Sequence, residues 1–311
     1  MPQGRRSVVT INHRLGAFGY LHLGEFGGEE FAASGNVGML DIVAALEWVR
    51  DNIGAFGGDP GNVTIFGESG GGAKVSVLMA MPAAHGLFHK AIIQSGPAVE
   101  MASRDNASET ARQLLAELNL SSDKVRELRR IPALEIARAQ AAVLKKVSLM
   151  SFANRRRVGF NPVVDGKHLP GGPFAPTAPA ISANIPLMIG TNKDEMTLFF
   201  GLAPWLDRLD EASMRQRVQM FVGEQADRII EPYRRARPND SLRDLVLAIA
   251  TDHAMRMPSI VTADRKVAQH AAPVFVYMFT WETPVLDGKL KSPHALEIPF
   301  VFDTVQTSAL T

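Results

Sequence analysis

Phe66-Gly67-Glu68-Ser69-Gly70-Gly71-Gly72-Ala73-Lys74, FGESGGGAK over residues 66–74, sets one serine among four glycines. It joins the apolar run NVTIF (62–66) to the helix-like run VSVLMAM (75–81). Residues 67–71 fit G-x-S-x-G in the context that pattern requires, a strand before and a helix after. Such a turn holds its serine in strained backbone geometry, and side chains at the flanking positions would meet the neighbouring strand and helix. It also aims the serine hydroxyl outward and the helix N-terminus at any anion that forms beside it. Ser69 is therefore a candidate nucleophile, and the Gly70 N–H is the natural oxyanion donor.

Working outward, Ser7–Asn12 (SVVTIN) is β-branched in the manner of a buried parallel strand. Val37, Leu40, Val43, Leu46, Val49 and Ile53 form one helical stripe over residues 37–53, with Asn36 placed to cap it. Residues 62–66 predict a second strand and 70–81 a helix. Ala91–Gln94, Leu187–Gly190 and Val274–Thr280 predict three more strands. Strands separated by helical patterns predict an α/β fold with a mostly parallel, doubly wound sheet. Helical insertions at about 104–150 and 207–270 are placed to cap its carboxyl edge, where ligands bind in open sheets. With no linker, repeat or low-complexity tract, residues 1–311 read as a single domain.

The balance of 33 basic against 32 acidic residues offers no general attraction to nucleic acid or anionic membrane. The basic runs Arg155–Arg157 and Arg234–Arg237 read as solvated faces. The absence of cysteine excludes disulfides, thiolate metal sites and a cysteine nucleophile. No metal or organic cofactor is expected. The first residues, MPQGRRSVVTIN, lack the apolar core of a signal peptide and no run has the length of a membrane span, which makes the cytoplasm the default compartment.

A serine hydroxyl needs a base, and the base an orienting acid. In hydrolases of this build they follow in the order serine, acid, histidine. That order removes His13 and His22, while His85 and His89 lie too close to the turn and His168 precedes the acids. His253 and His270 fall in helical patterns. His294, in the loop KSPHALE after the last strand, stands where the base belongs. TNKDE after the fourth strand offers two acids, Asp194 and Glu195, which order and placement do not separate.

The stretches NHRLGAFGYL, SGNVGMLDIVAALEWVRDNIGAFGGDPGNVTIFGESGGGAKVS, LFHKAIIQSG, FNPVVDGKHLP, IGTNKDE and HALEIPFVFD together resemble the type-B carboxylesterase and cholinesterase-like family, which includes bacterial para-nitrobenzyl esterases. The resemblance implies an α/β-hydrolase fold and a carboxylic ester hydrolase with a Ser-Glu-His triad. It assigns the acid to Glu195 and the base to His294, and leaves Asp194 as the alternative. It further implies an electrostatic influence of Glu68 on the histidine and a supporting role for Ser95. Phe199, Phe200 and Trp205 would shape an apolar pocket for a small-molecule ester.

The family also carries an H-G-G-G-type oxyanion loop ahead of the strand at 7–12, and helices beyond the histidine loop; neither is found here. On that reading a central strand between 7–12 and the nucleophile strand is lacking, and any export signal would lie upstream. Each buried backbone group left unpaired costs about 1–3 kcal/mol. The isolated chain is accordingly expected to fold poorly unless its sheet is completed. The loss of oxyanion donors is expected to slow it by about 10²- to 10³-fold each. The alternative role is that of a weakly active or inactive family member acting as a binding protein.

Overall fold

The computed structural model describes residues 7–146 and 159–311. The basic run at 155–157 and the end of the first expected insertion, 147–150, lie outside them.

Four strands form one parallel sheet: β1 (Thr64–Glu68), β2 (Lys90–Gln94), β3 (Leu187–Asn192) and β4 (Val274–Phe279), side by side in chain order. The strand before Ser69 is displaced two residues from its expected 62–66, because pairing begins where Thr64 meets Lys90. Ser7–Asn12 is not a strand: no described strand pairs with it, and Val8, Val9 and Ile11 are exposed. β-Branching favours the extended form, but a strand exists only through its ladder. Along its outer edge β1 has no partner among the described residues.

Alternation along the strands separates two faces. Ile65, Ala91 and Leu187 lie in register on one face and are buried. Helices α1 (Val37–Asn52) and α2 (Gly70–Leu78) help to close this core with Met39, Ile42, Val43, Leu46, Val75 and Leu78. The buried stripe of α1 thus takes in Met39 and Ile42, while Val37 and Leu40 at its start are only half-buried. On the other face, Phe66, Ile92, Met188 and Phe275 form a continuous apolar row across all four strands. Phe66 is 44% exposed, Met188 42% and Phe275 57%. Near Phe66 that row is met by Phe302, with ring centroids 6.0 Å apart.

Helices fill both long crossovers of the sheet. The β2–β3 crossover carries α3 (Arg104–Glu117) and α4 (Ala133–Lys146). The β3–β4 crossover carries α5 (Glu211–Val222), α6 (Ala226–Ala236), α7 (Leu242–Thr251) and α8 (Met257–Val267). A π-turn, Asp252–Arg256, joins α7 to α8. Among the described residues no helix is long and apolar enough to cross a membrane.

Asn36 does precede α1, but its side chain does not cap it. Its amide donates to Val163 O (2.8 Å) and Asp165 Oδ2 (2.9 Å), and its Oδ1 accepts from Val163 N (3.0 Å). Fully buried, it ties the start of α1 to the loop at 163–169. A lost cap costs about 1 kcal/mol. Asn36→Ala should instead cost about 2–3 kcal/mol, since it strips partners from a buried carboxylate and two backbone groups. Urea unfolding measures the difference, and a loss of 1 kcal/mol or less would reinstate the capping role.

Candidate active site

The sheet's carboxyl edge gathers the residues singled out in the sequence. Ser69 follows β1, with φ 55° and ψ −119°, and opens directly into α2. Its N–H is held by Gln94 O at 2.8 Å, so the end of β2 fixes the turn. The glycines divide by position. A Cβ on Gly67 would lie 2.4 Å from the Gly71 carbonyl carbon, and one on Gly72 would lie 3.1 Å from Gln94 O. Gly71 has open space around it, so the steric demand falls on Gly67 and Gly72 rather than on both ends of the G-x-S-x-G pattern. Gly96, outside the motif, is under the tightest constraint: its Cβ would sit 1.9 Å from Ser69 O. Gly70 opens α2, where N–H groups lack intrahelical acceptors.

β3 and the loop after β4 bring the acid and base together. His294 Nδ1 lies 2.7 Å from Glu195 Oε2, with the ring nitrogen as donor because a carboxylate only accepts. Glu195 is fully buried, and its Oε1 takes the Asn192 N–H at 2.7 Å. Asp194, the alternative acid, does not meet the histidine; its carboxylate faces Ser292 N at 3.4 Å, and burial pushes its pKa up. Burial alone would depress the His294 pKa. The Glu195 hydrogen bond and the charges of Glu195, Glu68 and Glu297 outweigh it and hold the imidazole above its ordinary value.

The other ring nitrogen has not closed on the serine. Among the described residues Nε2 makes no hydrogen bond, and the group facing it is Glu68 Oε1 at 3.1 Å. Burial, with added repulsion from Glu297 and Glu195, lifts the Glu68 pKa to about 7 against the opposing pull of His294. An ionised Glu68 favours the protonated imidazole. Removing that charge in Glu68→Gln should lower the His294 pKa and move the acid limb of the rate profile toward lower pH, by about one unit. A profile of serine labelling rate against pH checks this; a limb moving upward would contradict it.

Ser95 is fully buried with φ 48°, and its hydroxyl has no hydrogen-bond partner among the described residues. It holds β3 through its backbone, N to Gly190 O at 2.9 Å. Of the three aromatics, Phe199 stands over the imidazole, with ring centroids 5.3 Å apart, and is half exposed. Phe200 and Trp205 pack instead on each other and within the helical insertion.

Sequence reasoning did not single out Glu297, Asn192 or Gln94. Buried Glu297 accepts from Gln94 Nε2 (3.1 Å) and Asn192 Nδ2 (2.7 Å), while Asn192 Nδ2 also reaches Pro293 O (2.7 Å). This network joins β2, β3 and the histidine loop. The available signal was an acid inside the apolar run LEIPFVF, a placement that burial makes costly unless it is paired.

A parallel sheet with a serine turn after its first strand and a buried Glu195–His294 pair at its carboxyl edge is the arrangement of an α/β hydrolase. The chain belongs to the carboxylesterase family, whose model matches residues 6–310. It is 38% identical over 303 residues to the para-nitrobenzyl esterase of Bacillus subtilis (strain 168), covering 96% of this chain and 58% of that protein. It is 30% identical to the phenmedipham hydrolase of Pseudarthrobacter oxydans, over 94% of this chain and 56% of that protein. A crystal structure of a Geobacillus stearothermophilus carboxylesterase superposes with TM-score 0.81 at 38% identity, covering 96% of this chain and 60% of that one. The chain thus spans somewhat over half the length of these relatives.

Proposed function

We propose that this site hydrolyses small carboxylic esters through a covalent acyl-enzyme. The observation that carries the reading is the buried Glu195–His294 pair, 2.7 Å apart, beside a serine held at positive φ. His294 Nε2 turns from Glu68 to the Ser69 hydroxyl and takes its proton as Ser69 Oγ attacks the ester carbonyl. Glu195 keeps the proton on Nδ1, so that Nε2 presents its lone pair, and it stabilises the imidazolium that follows. The Gly70 N–H supports the oxyanion. The imidazolium then gives its proton to the leaving alcohol, and water repeats the cycle to release the acid. Ring nitrogens of apo sites often tighten onto the serine only with substrate bound, so the Glu68-facing position is compatible with this path. Phe199 beside the base, and relatives that include a para-nitrobenzyl esterase, favour esters carrying an aromatic group.

The test is intact-mass analysis after exposure to a fluorophosphonate, in which the serine oxygen bonds phosphorus and fluoride leaves. A single adduct, abolished by Ser69→Ala and strongly slowed by His294→Ala, is the expected result. A soluble chain that takes no adduct would overturn the reading.

A further inference from the structure

The loop that carries Glu195 is held from both sides by one helix. Thr251, the last residue of α7, accepts the Met196 N–H at 3.1 Å, immediately after the acid. Arg256, the last residue of the π-turn, donates from Nη2 to Lys193 O at 2.8 Å, two residues before it. In a continuous α-helix, residues five apart point about 140° away from each other. A π-turn takes about one more residue per turn, which brings such a pair back toward one face. The π-turn is therefore the local feature that lets Thr251 and Arg256 grip the same loop.

Arg256 is itself anchored. Its Nη1 pairs with Asp252 Oδ1 at 2.6 Å, and Asp252 also accepts the Tyr233 hydroxyl from α6. Helix α7 reaches the histidine loop as well, through Asp244 to Lys291 at 2.6 Å. Both loops that supply the acid and base are thus fastened to the β3–β4 insertion.

We propose that Arg256 is a positioning residue for the acid–base pair: its grip on the Lys193 carbonyl, opposite Thr251, sets where the Glu195 carboxylate meets His294. The inference rests on the ester-hydrolase reading of the site. The Glu195–His294 contact joins two loops whose geometry is set from outside, so a displacement at Lys193 passes through two peptide units to the carboxylate. Loosening by a fraction of an ångström weakens a 2.7 Å charge-assisted hydrogen bond and leaves the fold in place.

The experiment is an NMR titration of the His294 imidazole in the full chain, its resonance identified by its loss in His294→Gln. The groups facing that ring are Glu195, Glu68, Glu297 and Phe199; those around Arg256 are Asp252, Tyr233, Lys193 and, on the same turn, His253. The wild-type ring should titrate above its ordinary range. Arg256→Met should lower its proton affinity by about threefold, half a pH unit. Arg256→Lys, which keeps one donor, should restore most of it. Thr251→Val, which removes the opposite grip with little change of shape, should give a similar shift and serves if Arg256→Met does not fold. The kcat of ester hydrolysis should fall about tenfold in Arg256→Met with KM nearly unchanged.

If Arg256→Met melts earlier but His294 titrates as in the wild type, Arg256 is only structural and the proposal fails. A wild-type His294 that titrates at or below its ordinary value would also overturn it. The titration requires no turnover, so a chain that hydrolyses no ester but shows the expected shifts would refute the ester reading alone.

Discussion

Gly96→Ala is expected to slow serine labelling at least about 100-fold although residue 96 carries no chemistry. Its Cβ would fall 1.9 Å from Ser69 O, 2.7 Å from Ser69 C and 3.0 Å from Ser69 Cα. All three are backbone atoms of the turn, so no flexible side chain can give way. Either the turn moves by more than an ångström or β2 shifts outward and breaks the Ser69 N to Gln94 O bond. The structural cost should be about 3 kcal/mol, the scale of overpacking a rigid core site. A serine displaced by about 1 Å from its base should react at least about 100-fold more slowly. Gly71→Ala is the matched control. With open space around that position, alanine should cost nothing and should stabilise α2 by up to about 1 kcal/mol. Labelling rates and melting temperatures of the two variants, measured together, check the assignment. Equal behaviour would mean that the turn is softer than its contacts imply.

Glu195→Gln should lower kcat/KM for an ester by about 10³- to 10⁴-fold while leaving the protein folded. Oε1 of the carboxylate accepts the Asn192 N–H, and Oε2 faces His294 Nδ1. In glutamine one of these two positions becomes an NH₂. Turned toward Asn192, it would set donor against donor, so the amide must point its NH₂ at His294. Nδ1 then has to accept, and the ring carries its proton on Nε2, the atom meant to receive the serine proton. The substitution is nearly isosteric yet selects the wrong tautomer. Steady-state kinetics, with a thermal melt as a check on folding, measures the effect; a drop of less than tenfold would remove Glu195 from the mechanism proposed for it.

The site was legible in the sequence to the extent that it resides in contiguous stretches. The strand–turn–helix at 62–81 announced the Ser69 turn because steric demand at such turns can be met only by small residues. His294 and the pair Asp194/Glu195 followed from chain order, but choosing between the two carboxylates needed the family resemblance. In the fold that choice reflects alternate directions: Glu195 turns inward to the imidazole and Asp194 toward Ser292. Asn36 shows where local reasoning stops. Its position before α1 suggested a cap, yet its partners lie more than a hundred residues away at Val163 and Asp165. SVVTIN shows the same limit for strands, since β-propensity says nothing about whether a neighbour is there to pair with. The Glu68 contact with Nε2 was foreseen only as an influence; that it faces the nitrogen proposed to serve Ser69 depends on side-chain geometry.

The apolar row across the far face of the sheet has a consequence in the test tube. Phe66, Ile92, Met188 and Phe275 present a continuous apolar band, and the outer edge of β1, unpaired among the described residues, lies beside it. Molecules that meet along such surfaces gain by sticking together, and the gain grows with crowding and heat. Solutions of this chain should therefore turn turbid on warming at a temperature that drops as they are made more concentrated. Cooling should not clear them, because strands once zipped between molecules separate far more slowly than a single domain refolds.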